Sequence, residues 1–195
     1  RLDDAKDDWE YAVGWLDAFP GGEKLGRGVL PFARHLDGDE DPDPMSTLDP
    51  VGQDLPSTLF GVVPKRHMWR LLKPFTTNVG MRAVNLAKYL HGATVGDNAR
   101  YRQSLAAFSF LLDYVPDWKK SYLPGGLIQH QSFVPAAAAE RVFRQQLELC
   151  QRHGIPSFLA VLKRHREDPF LLGHGVDGFS LALDFPVVEG RRAAL

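Results

Sequence analysis

An unbroken alternation from Leu127 to Val134, followed at once by a proline and a helical pattern, constrains this chain more than any other feature. Leu127, Gln129, Gln131 and Phe133 fall on one face of an extended run; Ile128, His130, Ser132 and Val134 fall on the other. Pro135 opens a helix through Arg152, at a position where its missing N–H costs nothing. Val142, Phe143, Leu147 and Cys150 line one side of that helix at three- and four-residue spacing. Gly154 closes it, because glycine tolerates the left-handed cap conformation. Two apolar runs of strand length follow, Ser157 to Lys163 and Phe179 to Phe185, each bounded by Gly or Pro. On the second, Phe179, Leu181, Leu183 and Phe185 face one way, and Ser180, Ala182 and Asp184 the other. The pattern is a sheet with an apolar face for its helix and a second face of Gln, Lys, Ser and Ala.

At 195 residues and 44% hydrophobic content, the chain is large enough to hide about 70% of its unfolded surface in one or two compact units. A net charge of −1 provides no field to steer it to nucleic acid or anionic lipid. The single cysteine, Cys150, excludes an intramolecular disulfide and gives no sign of a thiolate metal site; on the apolar stripe of its helix it reads as a small buried hydrophobe. No apolar run approaches the ~20 residues of a membrane span and no signal peptide opens the chain, so the default compartment is the cytoplasm. The start at Arg1 without methionine suggests a portion of something longer, and Val187 to Leu195 reads as a loop running into a helix. Oligomeric state is not encoded in any of these features.

Ahead of the central stretch, Trp9 to Phe19 alternates as a strand, with Trp9, Tyr11, Val13 and Trp15 on one side. Pro20-Gly21-Gly22 turns the chain, and Gly28 to Leu36 is expected to return as the second strand of a hairpin. The glycines at 21, 22, 26 and 28 match no phosphate-binding signature. From about residue 37 to 56 the chain is acidic and proline-rich and reads as a mobile loop; Asp37, Asp39, Asp41 and Asp43 lack the Gly and Glu that an EF-hand loop requires. Leu59 to Lys73 is expected to pack as a short helical segment. Asn78 to His91 is expected as a helix capped by Asn78 and ended by Gly92, with Val79, Ala83, Leu86, Ala87 and Leu90 as its apolar stripe. Tyr101 to Leu112 fits a helix and an extended run equally well.

No hydrolase, metalloprotease, paired C-x-x-C or Walker signature is present. The seven histidines are scattered; His165 and His174 with Asp168 have no spacing that fits a metal site, and surface histidines are the plainer account. Lys163, taken alone, is a solvated strand end. The collective signal is stronger. Gln129 and Gln131 project from one face, joined by Lys163, Ser180 and Asp184 from other strands, and glutamines both donate and accept, which suits a hydroxyl-rich ligand. Pattern alone leaves open whether this face binds a ligand or is simply solvated.

The run Leu112-Asp113 … Trp118 … Tyr122 … Pro124, continuing as Gly126-Leu127-Ile128-Gln129-His130-Gln131 … Val134-Pro135, resembles the substrate-domain core of FAD-linked oxidases of the vanillyl-alcohol-oxidase superfamily. Within it, the similarity is to the branch of the decaprenylphosphoryl-ribose and sugar-lactone oxidases. Ser157-Phe158-Leu159 … Val161 … Lys163, Gly178-Phe179 … Asp184-Phe185-Pro186 and, near the start, Trp15 … Asp17 … Leu25-Gly26-Arg27-Gly28 continue the match in order, leaving out the acidic insert. The resemblance implies an α+β fold, a mostly antiparallel sheet with helices packed on one face, forming the substrate (cap) domain over residues 1–195. It implies FAD held mainly by an N-terminal domain not in this chain, and a C-terminal segment, also outside it, that carries a catalytic lysine. The implied reaction is hydride transfer from a sugar- or polyol-type secondary alcohol to the flavin, with the 195-residue chain inactive alone. Gln129, Gln131 and Lys163 then line the substrate pocket, together with Ser180 and Ala182, which stand where that branch has Asn and a pocket cysteine. A non-catalytic binding or structural module that kept the cap fold without flavin is the competing expectation.

Overall fold

The computed structural model describes residues 9–53, 57–59, 63–96, 99–173 and 175–188. The expectations for 189–195 and for His174 lie outside those residues. Along the chain the strands are β1 (Tyr11–Leu16), β2 (Gly28–Val29), β3 (Phe32–Ala33), β4 (Thr58–Leu59), β5 (Val63–Pro64), β6 (Leu127–Pro135), β7 (Leu159–His165) and β8 (Gly178–Pro186). The α-helices are α1 (Pro44–Leu48), α2 (Pro50–Gln53), α3 (Met68–Leu72), α4 (Asn78–Val95), α5 (Leu105–Ser109) and α6 (Ala136–Arg152). This is the α+β architecture expected, with an antiparallel six-stranded sheet at its centre.

The sheet runs β2-β1-β7-β8-β6, with β3 also on β1, and every pairing is antiparallel. Because β8 is antiparallel to both β6 and β7, those two lie parallel on either side of it, and α6 makes the connection between them. Phe143 and Leu147 of α6 drive into one face, where Leu16, Ala160, Phe179, Leu181, Leu183, Phe185 and Val134 meet them. Leu181 is 0% exposed, and burying a leucine to that degree contributes about 1.5–3 kcal/mol. The polar members of that face are matched: Gln146 on α6 bonds Ser132 on β6 (Nε2 to Oγ, 3.0 Å). The helix ends as expected, with Gly154 at φ +69. Its N–H donates to the Gln151 carbonyl and that of Ile155 to the Cys150 carbonyl, so the last turn's orphan acceptors are filled. Cys150 packs half-buried on this core, and burial pushes its thiol pKa up.

The other face is covered at the β1–β2 end by α4, with Phe108 of α5 packed on Tyr11 beside it. Three expectations for that helix are corrected. Thr77, not Asn78, is the cap, its hydroxyl accepting from the Gly80 N–H at 3.1 Å. The helix passes through Gly92 to Val95 and ends at Gly96 (φ +81). Gly92 is there for closeness: a Cβ on it would meet Val29 Cγ2 at 2.5 Å. The buried residues are Met81 and Asn85, whereas Val79, Leu86 and Leu90 of the expected stripe are exposed. Sheet contact follows the Met81–Asn85–Lys88–Gly92 row because Asn85 can spend its amide on the carbonyls of Met81 (2.9 Å) and Phe158 (3.1 Å). A polar residue that bonds backbone this way is the one turned inward.

Smaller corrections follow from local chemistry. The returning hairpin strand is broken at Leu30-Pro31 into β2 and β3, since Pro31 has no N–H for the ladder. The strand expected over Ser157–Lys163 is displaced by two residues to Leu159–His165; Ser157 instead turns its hydroxyl onto the Leu159 (2.7 Å) and Asp184 carbonyls (3.1 Å). The segment Leu59–Lys73 contains the β4–β5 hairpin as well as α3, and Tyr101–Leu112 yields the short helix α5, capped by Ser104. In the acidic stretch Asp43 caps α1, Arg34 grips Glu40 in a two-pronged pair (2.7 and 2.6 Å), and Ser104 reaches the Gln53 carbonyl at 3.2 Å. Arg34's bond holds the Glu40 carboxyl down at about 2.

Candidate functional site

Strand register determines which side chains share the open face. Opposite residues across antiparallel strands point the same way, so three rows cross the sheet. The first is Gln129–Asp184–Leu159, the second Gln131–Ala182–Val161–Trp15, and the third Phe133–Ser180–Lys163–Val13. All five residues expected at a site, Gln129, Gln131, Lys163, Ser180 and Ala182, therefore lie on one face, on three adjacent strands. It is the face away from α6, and α4 covers it only as far as Trp15, over whose ring Lys88 Nζ sits at 5.0 Å. Desolvation there lowers the Lys88 pKa.

The two glutamines are exposed but not loose. Gln129 Nε2 donates to Asp184 Oδ1 at 2.7 Å and Gln131 Nε2 to Ser180 Oγ at 3.1 Å. Each amide is thus pinned by its nitrogen, which turns its carbonyl oxygen outward as an acceptor. Ser180 is fully buried and is also met at 2.7 Å by His165 Nε2, while the His165 ring packs on Phe133 with centroids 5.3 Å apart. Lys163 extends into solvent at the β7 end of the same row. Ala182, in the middle row between Gln131 and Val161, contributes only a buried methyl.

Three further groups lie on or beside this face; the sequence groups Asp184 with its polar side chains, while His165 and Tyr122 were not expected there. His165 lies two residues beyond Lys163 and so on its side of β7; ending that strand at 163 hid the relation. Asp184 is 1% exposed, and among the described side chains its Oδ2 is the buried polar atom without a hydrogen-bond partner. Burial raises its pKa, partly offset by the Gln129 bond. Tyr122 stands near it: burial first, and then the Asp184 charge, push the phenol up to about 12. Tyr122 also packs at a tilt against Phe158 and lines a cleft of about 390 Å³ with Ser121, Leu123, Gly125 and Val187. A neighbouring cleft of about 270 Å³ runs past Thr77, Ile155 and Phe185. Both clefts open at the end of the sheet, beside the polar face rather than on it.

The remaining sequence features are structural. Asp17, 1% exposed, receives Nε and Nη2 of Arg27 (3.1 and 2.8 Å) and the Phe19 N–H (3.1 Å), and the Arg27 guanidinium lies 4.5 Å over the Tyr89 ring. The Trp15 … Asp17 … Arg27 pattern is thus a clamp on the β1–β2 turn. No group of three or more potential metal ligands occurs among the described residues, and no described helix is long and apolar enough to cross a membrane.

The chain is thus an α+β unit: an antiparallel sheet with α6 packed on one face, α4 over part of the other, and a row of polar side chains on the remainder. In sequence the chain is similar to decaprenylphosphoryl-beta-D-ribose oxidase of Mycolicibacterium smegmatis (strain ATCC 700084 / mc(2)155), 27% identical over 191 residues. The match covers 96% of this chain and 39% of that protein, so the chain spans about two-fifths of the length of the curated relative it matches. No protein-family model matches the chain.

Proposed function

We propose that this chain is the substrate-facing domain of an FAD-dependent oxidoreductase that oxidises a secondary alcohol of a sugar or polyol. The observation that carries the reading is the grouping of the exposed Gln129, Gln131 and Lys163 with the buried Ser180 and Ala182 on the face of the sheet away from α6. Its collinear similarity to an oxidase whose name specifies a ribose unit supports the same class of substrate. The face suits the substrate side of a flavin site: amide acceptors and an ammonium. It does not itself build a cradle for the cofactor's diphosphate, so FAD would be held mainly by sequence beyond these residues.

The flavin, when bound, supplies the hydride acceptor. This chain's residues bind and orient. The outward carbonyls of Gln129 and Gln131 accept from neighbouring hydroxyls and fix the sugar's azimuth over the sheet; Lys163 donates to an oxygen at the third row. Such positioning raises turnover by holding the reacting carbon in line, without covalent chemistry. The test is the full-length protein purified without added cofactor. A flavin spectrum that bleaches with a sugar alcohol or lactone supports the reading, and Gln131→Ala then lowers turnover by about tenfold or more with FAD still bound. A colourless protein that takes up no FAD refutes it and leaves a binding module.

A further inference from the structure

We infer that Asp184 is a ligand-binding residue of this face, its Oδ2 accepting a hydroxyl of the bound polyhydroxylated molecule. The inference rests on the proposed class of substrate and extends it to a residue the oxidase reading does not use. Oδ1 is already engaged by Gln129 at 2.7 Å, and the backbone of Asp184 is engaged by Ser157, whose Oγ accepts from its N–H at 3.0 Å. Oδ2 is buried and has no partner among the described residues. A buried polar atom left unmatched is costly, and more so on a charged group; one that a fold retains calls for an explanation, and a hydroxyl that arrives with a ligand supplies it here.

Position identifies what arrives. Asp184 shares its row with Gln129, one row from Gln131 and Ala182, so a molecule lying over the glutamines is within one strand-residue step of the carboxylate. Tyr122, which feels the Asp184 charge, also walls the 390 Å³ cleft at the sheet's end, which gives a route in from that side. Gln129 is exposed and holds only Oδ1 of the carboxylate, by one bond, so a ligand hydroxyl that reaches Oδ2 adds a hydrogen bond without breaking one. A carboxylate flanked by outward amide carbonyls is an acceptor-rich set that selects hydroxyl donors and disfavours anions.

The test uses the full-length protein, its Asp184→Asn variant and, should that variant fold poorly, Asp184→Ala. Two readouts are independent of flavin reduction: the melting temperature without ligand, and the affinity for methyl β-D-ribofuranoside and for sorbitol by titration calorimetry. The expected result is a ligand-free variant that melts about 2 °C or more above the parent, since an unmatched charge has been removed, with affinity for the bound probe weakened about tenfold or more. A variant that melts below the parent overturns the inference, because the carboxylate then has its partner within the protein. Affinity within twofold of the parent overturns it as well, as does a parent that binds neither probe. Bleaching of the flavin by the same probes is read separately: binding lost in the variant of a protein that shows no flavin chemistry refutes the oxidoreductase reading and leaves the role of Asp184 standing.

Discussion

Replacing Leu147 by alanine, and separately Leu90, separates the two helix faces that the fold distinguishes. Both leucines sit on α-helices at positions where apolar periodicity assigns them to a core. Leu147 on α6 is 3% exposed and belongs to the cluster with Phe143, Leu181 and Leu183. Leu90 on α4 is 53% exposed. Truncating Leu147 removes three carbons from a dry environment, about 2.4 kcal/mol at about 0.8 kcal/mol each, and the unfilled space adds enough to bring the loss to about 3–4 kcal/mol. For a chain of this size that lowers Tm by roughly 10 °C. Truncating Leu90 changes stability by no more than about 0.5 kcal/mol. Urea titration of the 195-residue chain followed by far-UV circular dichroism measures both against the parent. Equal losses, or a larger loss at Leu90, would show that α4 buries its periodic stripe and would overturn the packing of that helix through Met81 and Asn85.

Two other outcomes follow from the ion pairs. Arg27→Met leaves Asp17 charged and buried without its partner and is expected to cost about 3 kcal/mol, with much of that recovered by adding Asp17→Asn; thermal denaturation of the single and double variants tests it. Arg34 holds the folded-state pKa of Glu40 down at about 2, below the ordinary value near about 4.3. The pair's contribution is therefore fully present above that ordinary value and is lost as pH falls through it toward about 2. In Arg34→Met this part of the acid dependence disappears while stability at neutral pH changes little, since both groups are at the surface; a parallel acid profile in parent and variant refutes the assignment.

Much of the central sheet was legible because its strands alternate. Leu127–Val134 needed one more residue at its C-terminal end and Phe179–Phe185 one at each end, and the division into a helix-facing side with Val134, Leu181 and Leu183 and a polar side with Gln129, Gln131, Ser180 and Ala182 is the one the register makes. Period 2 is rigid: once one residue is assigned, its neighbours have no freedom. The α4 face was not legible because periodicity weighs Leu and Val above Asn, and the energetic deciding factor, an asparagine satisfied by the Met81 and Phe158 carbonyls, is a tertiary match between residues 73 positions apart. Gly92 misled for a similar reason. In the sequence it has the form of a stop; against Val29 it is a clearance. At the candidate site, the convergence of three strands needed the order β7-β8-β6, which alternation cannot give, and the unfilled Asp184 oxygen is a property of packing that no motif carries.

That strand order has a consequence for how the protein is made. Every row of the polar face passes through β8, yet β8 is the last of its three strands to leave the ribosome. Until Gly178–Pro186 emerges, β6 and β7 are held a strand's width apart by α6 with their facing edges unpaired, and no two of the site residues are opposite one another. A product that stops anywhere before residue 178 therefore has no partial site to offer. It has two sticky edges and a helix with half its core, the kind of intermediate that aggregates or is captured by chaperones. Completion of β8 closes the sheet and brings the polar side chains into their rows in one event, so truncation ahead of Gly178 removes the proposed binding face and the pairing of both edges together.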